Sequence, residues 1–226
     1  MLFRSSFIKK KNLLPSNTPI LMRSPQDNFL HFETYIKTLD ISNEIVFLKP
    51  GTSIPLKRLM FLNFQPINAL YCLPESFYEL LYASFHSSHY SNCNRSVLLV
   101  ARNEKIRNFE NLDLVANHLE KWAKKNGLDF QILRSGSANF EETRRQFARA
   151  KFIFAIHGGA NYNIIWSQVD TTLVEFIPIR STDSLLHLAL GFGQNYLPIA
   201  INHGKGDKFY EISPTQMDQI LQFLDS

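Results

Sequence analysis

The residues able to do chemistry fall in three places, each at or just beyond an apolar run. Val97–Ala101 leads into Arg102-Asn103-Glu104-Lys105-Ile106-Arg107-Asn108-Phe109-Glu110-Asn111. Phe152–Ile156 leads into His157-Gly158-Gly159-Ala160-Asn161-Tyr162-Asn163, and Glu175 stands near the end of Leu173-Val174-Glu175-Phe176-Ile177-Pro178. The guanidinium forks of Arg102 and Arg107 suit phosphate oxygens in shape and charge. Gly158 and Gly159 let a backbone approach closely, and a helix opening behind them aims its first amides and positive dipole end at the same spot. A carboxylate inside an apolar strand needs a partner, and at a strand end a hydroxyl ligand is one candidate. Each feature also has a plainer reading. The arginines are then solvated loop charges with Asn111 as a helix cap, the glycines a tight turn beside a hydrogen-bonded histidine, and Glu175 half of a structural ion pair.

What must position these residues is an alternation of strands and helices. After Val97–Ala101, Leu112, Val115, Leu119 and Trp122 mark one face of a helix that ends at Gly127. Phe130–Leu133 is a second strand. Asn139 caps the next helix, with Glu142 placed for a capping box and Phe140, Phe147 and Ala150 facing inward. Phe152–Ile156, Thr172–Ile177 and Tyr196–Ile201 read as further strands, with a short helix near Asn161 and helices over Asp183–Leu190 and Pro214–Leu224. Continuous apolar strands separated by helices predict an α/β fold, a parallel sheet covered on both faces, and ligands gather beyond the carboxyl ends of such strands.

The expected organisation is a basic, poorly ordered tail over 1–27, a partial N-terminal α/β domain with a linker over 28–95, and a Rossmann-like domain over 96–226. Within 28–95 the pattern gives a helix at Phe29–Leu39, strands at Ile45–Leu48 and Arg58–Leu62 around a Pro50-Gly51 turn, a helix from Pro74, and a polar linker Ser87–Ser96.

With 226 residues, 45% of them apolar, the chain has enough to bury a sizeable core, which excludes disorder. The longest apolar runs are far short of a membrane span. Twenty-four basic against 20 acidic residues leave +4, part of it in Arg4, Lys9, Lys10 and Lys11. That cluster suits weak contact with an anionic membrane surface at most, and it lacks the aromatic interleaving of a nucleic-acid binder. Cys72 and Cys93 are too few for a disulfide scaffold and read as thiols of a reducing, cytoplasmic setting. His86, His89 and Cys93 have no second ligand pair for zinc, so no metal site is expected, and His203–Lys208 reads as a surface turn. Neither G-x-G-x-x-G, a P-loop nor G-x-S-x-G occurs.

Taken together, these residues resemble glycosyltransferase family 61, a GT-B type family that includes xylan arabinosyl- and xylosyltransferases and O-linked N-acetylglucosaminyltransferases. Its pattern has an arginine after a strand, then Arg-x-x-x-Asn, matched by Arg102, Arg107 and Asn111. Phe-x-x-Ala, a His-Gly-Ala-Gly-Leu-x-Asn loop and Glu-x-x-Pro follow, matched in order by Phe147, Ala150, His157, Gly158, Asn163, Glu175 and Pro178. The likeness runs from about Val97 to Tyr196 and more faintly back to Asn28. Gly159-Ala160-Asn161 departs from the usual Ala-Gly-Leu, and the chain begins part-way through the fuller N-terminal domain of the family.

The resemblance implies a GT-B-like fold with a C-terminal nucleotide-sugar-binding half. It implies transfer of a hexosyl or pentosyl group from a nucleotide-sugar to a hydroxyl of a glycan or lipid-linked acceptor, metal-independent and inverting, with no cofactor. Arg102 and Arg107 would neutralise the diphosphate, with Asn111 beside them, and the amides of Gly158 and Gly159 would stabilise its charge. Glu175 would hold ribose or sugar hydroxyls, and Asn163 would fix the loop or touch phosphate. His157 would bind phosphate, orient the loop or act as a base, with the donor side favoured. A shortened N-terminal half gives a reason to form a homo-oligomer or to need a complementing subunit. It also leaves the alternative of an inactive remnant or nucleotide-binding module. A polysaccharide pathway is the setting the family implies.

Overall fold

The computed structural model describes residues 15, 17–23, 41–58, 79, 95–102, 108–135, 139–178, 184–201 and 209–226. The chain divides into two compact units, Met1–Phe85 and His86–Ser226. In the first, β1 (Ile20–Arg23) and β2 (Ile45–Leu48) pair in parallel with Ile20 opposite Ile45. Residues 20–23 were expected in the tail. Their apolar run is instead long enough to ladder against β2, and the Asn43 amide steadies the approach by donating to the carbonyls of Pro15 and Thr18 at 2.8 and 2.9 Å. The helix expected at Phe29–Leu39, the strand after Arg58, most of the helix from Pro74 and nearly all of the linker lie outside the described residues.

The second unit runs β3 (Ser96–Arg102), β4 (Asn108–Phe109), α1 (Leu112–Lys125), β5 (Asp129–Ser135), α2 (Phe140–Arg149), β6 (Ala150–Ile156), a 3-10 helix (Gly159–Trp166), β7 (Thr172–Pro178), α3 (Ser184–Gly191), β8 (Asn195–Ile201), β9 (Phe209–Tyr210) and α4 (Pro214–Leu224). Five strands form one sheet in the order β5-β3-β6-β7-β8, every neighbouring pair parallel. Numbered along the chain that order is 2-1-3-4-5, and its direction reverses between β3 and β6. In an open α/β sheet such a reversal leaves a crevice at the carboxyl ends of the two strands.

Period-two alternation assigns the faces. Val97, Leu99, Phe152, Phe154, Ile156, Val174 and Phe176 share a core with Val115, Leu119 and Trp122 of α1 and Met217, Ile220 and Leu221 of α4. Trp122 meets Phe152 edge-on with centroids 4.9 Å apart, and Phe109 meets Phe176 in the same way at 5.2 Å. The alternate residues Leu98, Val100, Ile153, Ala155, Leu173 and Glu175 are equally buried and face away from that core, on the side left to α2, the 3-10 helix and α3.

The elements end where their chemistry directs. Asn139 caps α2 by accepting from the Glu142 amide at 2.8 Å. The expected capping box is half formed, because the Glu142 carboxylate turns to Arg145 and Gln146. Ala150 is not on α2: it has extended dihedrals and opens β6. α1 terminates before Gly127, whose φ of 66° is the left-handed conformation that lets the chain leave the helix. At α4, Ser213 and Gln216 form a complete capping box behind Pro214. β4 and β9, a two-residue parallel pair, carry no period that a sequence reading could find.

Candidate functional site

The register of the sheet sets the site. Val100 lies opposite Ala155 and Ala155 opposite Glu175. Two positions further on come Arg102, the last residue of β3, and His157, the first beyond β6, both at the reversal point. The ladder also reaches past β6, since the His157 amide donates to the carbonyl of Phe176 at 2.9 Å.

Arg102 does not point idly outward. A Cβ on Gly158 would sit 2.2 Å from its Nη2 and 3.2 Å from its Cζ, so the guanidinium lies directly on the glycine. Gly158 itself is extended, with φ 162° and ψ 176°, a conformation open to any residue. What this position requires is therefore the missing side chain. The Asn108 amide donates to the Arg102 carbonyl at 2.8 Å and so fixes the end of β3. Behind Gly158 the 3-10 helix begins, and the first amides of a helix have no partner within it.

His157 is held from beneath. Its Nδ1 is 2.9 Å from Oε1 of Glu175, which is fully buried. The same oxygen accepts from Nδ2 of Asn161 at 3.2 Å, and Oε2 accepts from the Tyr196 hydroxyl at 2.6 Å. Asn161 also donates to the carbonyl of Ile156 at 3.0 Å, tying the loop to the strand it leaves. The far end of the 3-10 helix is fastened as well: Gln194 donates to the carbonyls of Ile164 and Ser167, and Trp166 stacks edge-on against Phe140 of α2. Loop, β6, β7 and β8 thus meet at one carboxyl group.

The sequence model described as Glycosyltransferase 61 matches residues 10–174. The chain belongs to glycosyltransferase family 61. No curated protein matches it. Among solved structures it is similar to a flavodoxin-like domain from Synechococcus sp., at 14% identity over 56% of this chain and 92% of that one, TM-score 0.40. It is also similar to a metal-soaked flavodiiron core from Synechocystis sp., at 10% identity over 98% and 76%, TM-score 0.37. Both likenesses are too distant to speak to activity.

Within this family 61 chain the matched stretch takes in Arg102, Arg107, Asn111, His157, Gly158, Gly159 and Asn163 and stops one residue before Glu175. The structure brings Arg102, His157, Gly158 and Gly159 to one place. Arg107 lies outside the described residues, as do His86, His89, Cys93 and the 203–208 turn. Asn111 is drawn elsewhere: its amide donates to the Ile212 carbonyl at 2.7 Å and its oxygen accepts from the Ile212 amide at 3.4 Å, so it pins α1 to the segment before α4 instead of facing a ligand. Though it sits at the N-cap, it makes no side-chain cap bond. Asn163 turns back on its own helix, donating to the Ala160 carbonyl at 2.9 Å and accepting from Trp166 at 3.3 Å, which is the loop-fixing alternative.

Glu175 requires the largest correction. With no surface exposed and both oxygens engaged by three side chains, it has no face for a ribose or sugar hydroxyl. Sequence reasoning missed Asn161 and Tyr196. Tyr196 has a signal in parity, since it lies opposite Leu173, on the face that Glu175 shares, one diagonal step away, whereas Asn161, in the 3-10 helix, has none. Among the described residues no three His, Cys, Asp or Glu are grouped to hold a metal, and no helix is long and apolar enough to cross a membrane.

Proposed function

We propose that this family 61 glycosyltransferase takes a nucleotide-sugar as donor, seats its diphosphate at the mouth between β3 and β6, and moves the sugar to a hydroxyl of a glycan or lipid-linked acceptor. One observation supports the reading above all: the Arg102 guanidinium lies on Gly158 at the reversal of strand order, beside the opening turn of the 3-10 helix. A fixed cation and the opening amides of a helix at one point suit a group whose negative charge grows as the bond to the sugar breaks. Arg107 supplies a second cation from the segment that follows β3. We take the second unit as the donor half of a GT-B arrangement and the transfer as inverting.

The test is thermal unfolding of the full chain against UDP, GDP, CMP, ADP and NAD. A ligand at ~100 times its Kd adds ~2.7 kcal/mol, which raises the midpoint of a chain of this size by about 5–10 °C. A rise with one nucleoside diphosphate, lost in Arg102→Ala and in Arg107→Ala, is expected. No rise with any of them, in a protein that still unfolds cooperatively, overturns the reading.

A further inference from the structure

We propose that Glu175, clamped by Tyr196 and Asn161, is a positioning residue that keeps the hydrogen of His157 on Nδ1 and leaves the Nε2 lone pair to take the proton of the acceptor hydroxyl. The base role rests on the glycosyl-transfer reading above; the clamp rests on geometry alone. Nδ1 of His157 and Nδ2 of Asn161 converge on Oε1 of Glu175, and the Tyr196 hydroxyl takes Oε2. An amide nitrogen only donates and an ionised carboxylate only accepts, so the ring nitrogen facing Oε1 carries its hydrogen. Which nitrogen of an imidazole is bare follows from the bond the other one makes. His157 keeps 17% of its side-chain surface exposed while Glu175 keeps none, so the ring reaches the surface from a buried anchor.

The remaining residues of β7 make a structural strut an incomplete explanation. Thr172, Leu173, Val174, Phe176, Ile177 and Pro178 surround Glu175 with a largely apolar strand. A buried carboxyl there is costly, and an aliphatic side chain would serve packing alone as well. What an aliphatic residue cannot do is orient an imidazole. In the transfer step the acceptor oxygen bonds to the anomeric carbon while the bond from that carbon to the diphosphate oxygen breaks. Its electron pair leaves with the nucleoside diphosphate, the hydroxyl proton ends on Nε2, and the resulting imidazolium faces the Glu175 carboxylate.

The first measurement needs no ligand. In 15N-histidine-labelled full-length protein at pH 8, nitrogen–proton correlation spectra, with His157 identified by its loss in His157→Asn, should show that ring chiefly as the Nδ1–H form. Nε2–H as the main form overturns the proposal. The second uses the nucleoside diphosphate that stabilises the wild type, together with its sugar conjugate. Glu175→Gln, which keeps the side chain's size, should leave the diphosphate Kd within twofold and lower transfer at saturating donor by about 10²- to 10⁴-fold. A lost Kd with intact folding makes Glu175 a donor contact and overturns the positioning role, as does unchanged transfer. Should Glu175→Gln not fold, Tyr196→Phe carries the same comparison, with transfer lowered severalfold at unchanged Kd expected and equal transfer overturning the clamp. A wild type that binds no nucleotide sinks the glycosyl-transfer reading and the base with it, while the ring's protonation pattern still decides the clamp.

Discussion

Gly158→Ala is expected to leave the protein folded and to weaken nucleoside diphosphate binding by about 10- to 150-fold. The added Cβ would meet Nη2 of Arg102 at 2.2 Å, whereas ordinary contact begins at 3.4 Å, so the guanidinium must retreat by 1.2 Å, the difference of the two. The backbone asks for nothing in return, since φ of 162° is extended. Two small terms therefore set stability: displacing the far end of an arginine costs about 0.5–1.5 kcal/mol, and losing a glycine from the unfolded chain returns about 0.4–1 kcal/mol. Binding has no such offset. A charge-assisted hydrogen bond is worth about 1.5–3 kcal/mol, and a shift of over an ångström removes its geometry. Isothermal titration of the wild type, Gly158→Ala and Arg102→Ala with the stabilising nucleotide checks this, beside urea denaturation of each. If Gly158→Ala binds within twofold of wild type while Arg102→Ala loses affinity, the place of the guanidinium over the glycine is not the one that meets the ligand. The site reasoning then falls.

Glu175→Ala, unlike the isosteric glutamine, strips three donors of their acceptor at a fully buried position, and urea denaturation should find it less stable by about 2–5 kcal/mol. Asn111→Ala should cost about 1–2 kcal/mol through the lost two-point bond to Ile212 while leaving nucleotide affinity within twofold, as isothermal titration would show. A fall in affinity would return Asn111 to the donor site. Hydrogen bonds from Lys125 first, then Trp122, hold the Asp225 carboxyl below its ordinary value. A depressed carboxyl stabilises the fold above its unfolded-state value and loses that contribution as pH falls through its folded one. The gap in melting temperature between wild type and Asp225→Asn should thus be present at pH 7 and close in strong acid, and a gap that persists at pH 2 would refute it.

Periodicity made the C-terminal sheet legible. Five apolar runs, each separated by a helical segment, left parallel strands with two covered faces as the one economical arrangement, and Arg102 and His157 fall at the ends of β3 and β6 as that arrangement implies. What stayed illegible depended on register. Nothing in Asn108–Phe109 or Phe209–Tyr210 has a period, and their pairing follows only once the rest of the fold brings them together. Asn111 looked like a ligand contact because its true partner, the backbone of Ile212, lies 101 residues away. Likewise the strand around Glu175 announced that the carboxyl needed a partner but not which one. Its partners are 14, 18 and 21 residues distant, and they converge only through the β6-β7-β8 alignment.

That convergence has a consequence for how precisely the site is held. Loops at strand ends are ordinarily the looser part of an α/β domain. Here the loop after β6 is anchored at both ends of its 3-10 helix: at the start by Asn161 to the Ile156 carbonyl and to Glu175, at the end by Gln194 and the Trp166–Phe140 contact. Tyr196 lies on β8, an edge of the sheet among the described residues, yet its hydroxyl fixes a carboxylate on β7 that fixes an imidazole after β6. The orientation of His157 is thereby set by three adjacent strands instead of by the loop alone. Arg102, one strand further across, is steadied by the Asn108 bond to its own carbonyl and by the bare surface of Gly158. Cation and imidazole are therefore both carried by the sheet, which preorganises them for the two separate tasks proposed above: the guanidinium for the departing anion, the imidazole for the acceptor proton.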